Sequence, residues 1–274
     1  MARHVTECLG KTRVVVEDGK IVEIGEPKIE KCPLFGKRRG IEKFDRESIE
    51  GNIRFRMEDF GLFTENRITR MPDFLSFGVS EILSTALKNG LIDAAVIAAD
   101  GCGTAVVTDP EVVQGMCGRI SAIIETTPIK TVVETVGEEN MVNAETAEIN
   151  MFAGLEKAYS QGHRTVAVTV CSADDATKIR DAYGYSALII AVHTTGVSYS
   201  EAETLFDTCD IITSCASAAL RQEAKNRDIV IAGNKVPVYG VSDKGKELVR
   251  AKLKEAGKEE WKGEPPEDPP YPLI

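Results

Sequence analysis

The apolar pattern divides the chain into two regimes. Up to about residue 40 the apolar runs are short and separated by turn residues. Thr12–Val16 and Ile21–Ile24 flank Glu17-Asp18-Gly19-Lys20, and Asp-Gly between apolar runs predicts a hairpin because both residues tolerate positive φ. From about residue 74 onward, continuous apolar runs alternate with stretches whose apolar residues recur every three or four positions. Ala94–Ala99, Thr165–Val170, Leu188–Val192 and Ile211–Thr213 read as strands, with Ile229–Ala232 and Val236–Tyr239 following late in the chain.

The intervening periodicity predicts helices. Ile49, Ile53, Met57 and Phe60 mark one over 45–61, and Leu75, Val79, Ile82, Leu83 and Leu87 mark another over 74–89, closed by Gly90. Asp109-Pro110-Glu111 has the composition of a helix start. That helix is expected to carry Val112, Val113, Met116, Ile120, Ile123 and Ile124 toward the core, although Gly115 and Gly118 each cost about 1 kcal/mol in a helix interior. Further helices are expected over 128–136, 143–161 and from Ser172 to about 183. Another is expected from the Ser198…Glu201 capping box through 206, one ends near 226, and the last runs from Ser242 through 256.

Helices alternating with strands predict an α/β fold with a mostly parallel, doubly wound sheet over 41–256. Residues 1–40 form a small β-hairpin unit in this reading. Residues 257–274, GKEEWKGEPPEDPPYPLI, are Pro-rich and acidic and predict a flexible tail, with docking on another subunit as the alternative.

Composition narrows the class. The chain has 274 residues, 43% hydrophobic and 28% charged, the balance of a soluble globular protein. A net charge of −10 argues against nucleic acid or an anionic membrane as partner, since both need basic surface. Neither an N-terminal signal nor a bilayer-length apolar stretch is visible, so the expected compartment is the cytoplasm. Seven cysteines without a CxxC pair fit free thiols, most of them small buried hydrophobes.

Four segments follow predicted strands: 100–104 (DGCGT), 171–175 (CSADD), 193–196 (HTTG) and 213–217 (TSCAS). Parallel strands would gather them at one sheet edge, where α/β ligands bind. Asp100 and His193 are the acid–base candidates there. Gly101, Gly103 and Gly196 let backbone approach a ligand. Thr104, Thr194, Thr195 and Ser217 offer hydroxyls, and Arg119 offers a cation for an anionic group. DGCGT is no dinucleotide fingerprint, because Val106 stands where the third glycine belongs. Against these readings, Asp100 in a solvated turn and His193 as a satisfied buried histidine remain open. Convergent thiolates among Cys102, Cys117, Cys171 and Cys215, with His193, would suit an iron–sulfur cluster or zinc. A nucleophilic Cys102 or Cys215 is a third alternative. The most basic stretch, Gly36-Lys37-Arg38-Arg39-Gly40, reads as a solvated loop or an anion or partner site.

Several segments together resemble the methanogenesis marker protein 8 family. They are Cys8-Leu9-Gly10-Lys11-Thr12-Arg13-Val14, Cys32-Pro33-Leu34-Phe35, the run Asp73-Phe74-Leu75-Ser76-Phe77-Gly78-Val79-Ser80-Glu81-Ile82-Leu83, Asp100-Gly101-x-Gly103-Thr104, His193-Thr194-Thr195-Gly196 and Cys215-Ala216-Ser217. The resemblance extends to about residue 256. It implies a cytoplasmic archaeal protein accessory to methanogenesis, with methyl-coenzyme M reductase or its maturation factors as partners. It transfers no catalytic residue. Cys8, Cys32 and Cys215 lie inside the resembling segments and become the preferred metal candidates. Cys8 and Cys32 could meet Cys215 only if the N-terminal unit folds back over the sheet edge.

Overall fold

The computed structural model describes residues 2–72, 78–262 and 268–274. Strands β1 (Arg3–Cys8), β2 (Thr12–Glu17) and β3 (Lys20–Ile24) form an antiparallel meander. Its second turn is the predicted one, with Asp18 and Gly19 both at positive φ, 45° and 73°. Helices α1 (Pro33–Arg39), α2 (Arg46–Phe60) and α3 (Val79–Lys88) follow, then β4 (Ala94–Ala99), β5 (Gly103–Val107), α4 (Pro110–Cys117), β6 (Ala122–Glu125) and α5 (Lys130–Val136). The remainder is α6 (Met151–Ser160), β7 (Val166–Val170), α7 (Ala173–Tyr183), β8 (Ala187–Ala191), α8 (Tyr199–Thr208), β9 (Ile211–Thr213), α9 (Ala218–Ala224), β10 (Val230–Ala232), β11 (Val238–Gly240) and α10 (Asp243–Glu255). Residues 73–77, the first part of the Asp73–Leu83 run and the start of the predicted 74–89 helix, lie outside the described residues, as do 263–267 of the predicted tail.

The larger sheet has the strand order β10-β11-β9-β8-β7-β4-β5. Only the pairings β4·β7, β7·β8 and β8·β9 are parallel; β4·β5, β9·β11 and β10·β11 are antiparallel. The second sheet, β3-β2-β1-β6, is antiparallel throughout. The expectation of a mostly parallel fold is therefore corrected to an α/β fold with a parallel centre. The reason is connection length: three residues, Asp100–Cys102, join β4 to β5, far too few for a parallel crossover.

Helices cover both faces of the larger sheet. Along β4, Ala95 and Ile97 point into a cluster with Ile82, Val113 and Val249, from α3, α4 and α10. Ala94 and Val96 point into a second cluster with Leu155, Ile179, Leu205 and Leu220, from α6 to α9. The two-residue pleat period sends alternate residues to opposite layers, so the strand has no polar face.

Helix α4 stops at Cys117, well before Ile123 and Ile124, which lie in β6. A Cβ on Gly115 would meet Thr69 O at 2.2 Å, so the glycine serves close packing. The β-branched pair beyond it joins β1, with Ala122 opposite Glu7. Helix α6 likewise begins at Met151, capped by Asn150, and not at 143. Residues 142–150 instead wrap the β4–β5 hairpin: Thr104 N donates to Glu148 O at 2.9 Å and Val142 N to Thr104 O at 2.9 Å.

The second sheet lies over the carboxyl edge of the larger one, and β1 crosses that edge. At its start, His4 Nδ1 meets Thr126 Oγ1 at 2.7 Å, and that hydroxyl accepts from Gly101 N at the end of β4. Three residues on, Glu7 meets His193 after β8. Cys8 packs with Ala216, beyond β9. At about 3.3 Å per residue β1 advances roughly 10 Å from His4 to Glu7, matching two interstrand spacings of about 4.8 Å.

The final described segment is bound to the rest of the chain, in contrast to the predicted flexible tail. Tyr271 and Lys31 exchange backbone hydrogen bonds of 3.0 and 3.1 Å. Ile274 N donates to Ala216 O and Ala218 N to Ile274 O, both at 3.0 Å. Leu273 packs into the cluster of Cys8, Val14, Ile49 and Phe63. Among the described residues no helix is long and apolar enough to cross a membrane.

Candidate functional site

Glu7 Oε2 and His193 Nε2 are 2.6 Å apart, and their side chains retain 24% and 21% of their exposure. Strand alternation puts Glu7 on the His193 side of β1, while Cys8 packs into the cluster of Ile49, Phe63 and Ala216. His193 follows β8 with φ 57°, a left-handed conformation that non-glycine residues seldom hold. Lys11 (φ 59°) and Cys215 (φ 41°) share that conformation at the same junction. Such residues cost of order 1–3 kcal/mol each and persist where surrounding contacts fix them. Lys11 is fixed by its Nζ, which donates to Thr195 O at 2.7 Å. The Glu7 carboxyl is held below its usual range, first by the hydrogen bond from His193 and then by His193, Lys11 and Lys28 charges that outweigh part of its burial.

Among the described residues Nδ1 of His193 has no hydrogen-bond partner. A carboxylate on one ring nitrogen fixes the imidazole, leaving the other free to exchange a proton with a ligand. Cys171 and Cys215 follow β7 and β9, the strands flanking β8. Cys171 is exposed and Cys215 partly so.

The other predicted residues are placed differently. Asp100 is fully buried and paired with Arg67, Nε to Oδ1 at 3.0 Å, with Phe63 N donating to Oδ2 at 2.8 Å. Gly101 (φ 81°) and Gly103 (φ 60°) form the tight β4–β5 turn around it, packed against Ile129 and Ala147. Thr104 Oγ1 accepts from Asn150 N, Thr194 Oγ1 donates to Thr213 O, Thr195 Oγ1 accepts from Ala216 N and Ser217 Oγ caps α9 at Leu220 N. The Thr194, Thr195 and Ser217 hydroxyls shape the loops that hold His193, whereas Thr104 ties the β4–β5 hairpin to the start of α6. Gly196 (φ 80°) lies beside the Ile274 side chain and Lys11. Arg119 lies elsewhere, over the Phe60 ring at 4.7 Å.

The N-terminal unit does fold back over the sheet edge, and Cys8 and Cys32 share a hydrophobic cluster with Ala216. Burial pushes the Cys8 thiol up to about 11 and raises that of Cys32. Among the described residues no group of three or more His, Cys, Asp or Glu side chains is arranged to hold a metal ion.

Sequence reading missed Glu7, Lys11 and Arg67. The alternation of Val5 and Glu7 with Thr6 and Cys8 is a strand signal, but six residues beside a turn carry little periodicity.

Residues 4–254 match the family described as an uncharacterized protein conserved in archaea, DUF2099. The chain belongs to this archaeal family. It is 45% identical over 263 residues to the uncharacterized protein MJ0054 of Methanocaldococcus jannaschii, a match spanning 94% of this chain and 93% of that protein. The matched region of this DUF2099 protein contains both Glu7 and His193, and it ends before the segment that docks Leu273 and Ile274.

A groove of about 550 Å³ lies at the opposite, amino edge, lined by Arg164, Tyr185, Asp210 and Lys244 among others. Of its two carboxylates, Asp210 and Asp243, the first is already committed: Asp210 Oδ2 accepts from Arg180 Nη2 at 2.8 Å and Ile189 N at 2.7 Å.

Proposed function

We propose that this DUF2099 protein binds a small molecule at the carboxyl edge of its larger sheet and uses His193 as an acid–base there. The observation that carries this reading is the Glu7–His193 contact of 2.6 Å, joining residues 186 apart in sequence and leaving Nδ1 available. Glu7 orients the ring. Lys11 and the Thr194-Thr195-Gly196 loop set its position. Asp100 belongs to the scaffold in this reading. The reaction class is proton transfer to or from a ligand atom near Nδ1.

Equilibrium dialysis of the protein against an archaeal small-molecule extract, read by mass spectrometry, tests it. The native protein should enrich at least one compound that His193→Ala and Glu7→Gln do not. Equal enrichment by the variants, or none by any form, would overturn it.

A second reading rests on the resemblance to the methanogenesis marker protein 8 family. Of the segments carrying that resemblance, Cys8–Val14, Cys32–Phe35, His193–Gly196 and Cys215–Ser217 are remote in sequence and meet at this junction, as the shared contacts of Cys8, Cys32, Lys11, Thr195 and Ala216 attest. In this reading the chain is a cytoplasmic accessory protein of methanogenesis acting through partners of the methyl-coenzyme M reductase system. Native co-purification that brings down no component of that system would count against it.

A further inference from the structure

Two arginines withdrawn from solvent come with carboxylates. Arg67 has Asp100, and Arg180, 12% exposed, has Asp210 at 2.8 Å. Arg56 does not. It lies on the buried face of α2 with Ile49, Asn52 and Ile53, and is 8% exposed. Among the described residues its guanidinium makes one hydrogen bond, from Nη1 to Ser121 Oγ at 3.0 Å. Among the described residues no carboxylate pairs with it.

The surroundings add positive charge. Arg39, from the basic α1 segment, places its guanidinium 3.8 Å from the centre of the Phe55 ring. It lies close enough to Arg56 to push the latter's pKa down further, beyond the effect of burial. Among the described residues Arg39 has no carboxylate partner either. Phe55 in turn packs edge-to-face on Phe60, with ring centres 5.6 Å apart. One turn along the same helix face, Asn52 Oδ1 is buried without a partner. The chain carries a net charge of −10, so two unpaired guanidiniums beside each other are not a consequence of composition.

Removing an uncompensated ion from water costs several kcal/mol. An anion from outside the chain would supply the missing countercharge. Two planar guanidinium forks and a hydroxyl match an anion with several oxygens and more than one charge. We propose that Arg39, Arg56 and Ser121 bind a phosphate-type oxyanion, either inorganic phosphate or the phosphoryl group of a small metabolite. The site lies near Cys8, on the other side of β1 from Glu7, and it stands independently of the acid–base reading.

Thermal unfolding and calorimetric titration, with inorganic phosphate in one arm and adenosine monophosphate in the other, test this in phosphate-free buffer. The native protein should be stabilised in at least one arm. Saturation by phosphate alone assigns the free ion; response to the nucleotide alone assigns a metabolite phosphoryl group. Arg56→Gln and Arg39→Gln should each weaken binding by tenfold or more, while Arg54→Gln, an exposed residue paired with Glu50, should not. Arg56→Met guards against misfolding: it removes the unpaired charge, so it should melt at or above the native temperature without anion and lose the anion response. No stabilisation of the native protein in either arm, or a full response in Arg56→Met, would overturn the proposal.

Discussion

Replacing Asp100 by Ala separates a scaffold role from a catalytic one. The carboxylate accepts from Arg67 Nε at 3.0 and 3.2 Å and from Phe63 N at 2.8 Å, and both charged side chains are fully buried. Arg67 also donates to Ile68 O at 2.6 Å and Met116 O at 3.1 Å. The pair thus ties the end of β4 to the 61–72 loop and to α4. Removing one partner of a buried pair costs about 3–5 kcal/mol, because the other charge stays buried. The orphaned Phe63 N–H adds about 1–3 kcal/mol. A loss of about 4 kcal/mol or more follows, or roughly 8–16 °C of melting temperature at this chain length. Urea unfolding followed by circular dichroism at pH 7 measures it. Arg67→Met should lose a comparable amount, and the double variant Asp100→Leu/Arg67→Met clearly less than the sum of the singles. If Asp100→Ala loses less than about 1 kcal/mol, the pair is not the anchor argued here.

Two further outcomes follow from local geometry. Gly103 has φ 60° and a Cβ there would lie 2.1 Å from Ala147 O, whereas Gly19 has φ 73° with open space around it. Gly103→Ala should lose more than about 2 kcal/mol and Gly19→Ala about 1 kcal/mol; equal losses in thermal melts would contradict the packing argument. Burial lowers the pKa of His4 from its ordinary 6.5, so on acidification the unfolded chain takes up that proton before the folded one. Stability should fall as pH drops through 6.5 toward the lower folded value, and a His4→Asn variant measured over the same range should lack that share of the slope.

Much of the local structure was legible. The Asp109-Pro110 start, the Ser198…Glu201 capping box and the Ser172 and Ser242 caps all form as their chemistry predicts. The central strands were legible too, because residues buried on both faces give unbroken apolar runs. Strand direction was not. Val106 and Val107 look the same whether they return antiparallel beside β4 or continue elsewhere, and the short turn alone decides. Strand β6 was hidden because Ile120, Ile123 and Ile124 fit a helical stripe as well as a strand, and only pairing with β1 resolves it. His193 stood out as one of three histidines, but its partner lies at the far end of the chain, and no local pattern links them.

Both candidate sites depend on the register of β1. Its alternation sends Glu7 to the larger sheet and places Cys8 near Arg56, so a slip of one residue would exchange the two faces and remove Glu7 from His193. The register is held at both ends. At the start, Asp18 N donates to Ala2 O at 2.9 Å, and Arg3 Nε pairs with Glu17 at 3.2 Å. At the end, the chain turns through Gly10 at φ 66°, where a Cβ would meet Ile29 O at 2.7 Å, and Thr12 Oγ1 donates back to Leu9 O at 2.7 Å. Between them His4 is fixed to Thr126. The turn that closes β1 also positions Lys11, whose ammonium holds Thr195 O and so the loop that begins with His193. The left-handed backbone at Lys11 and at His193 therefore belongs to one linked constraint, in which the strand that carries the carboxylate also fixes the loop that carries the imidazole.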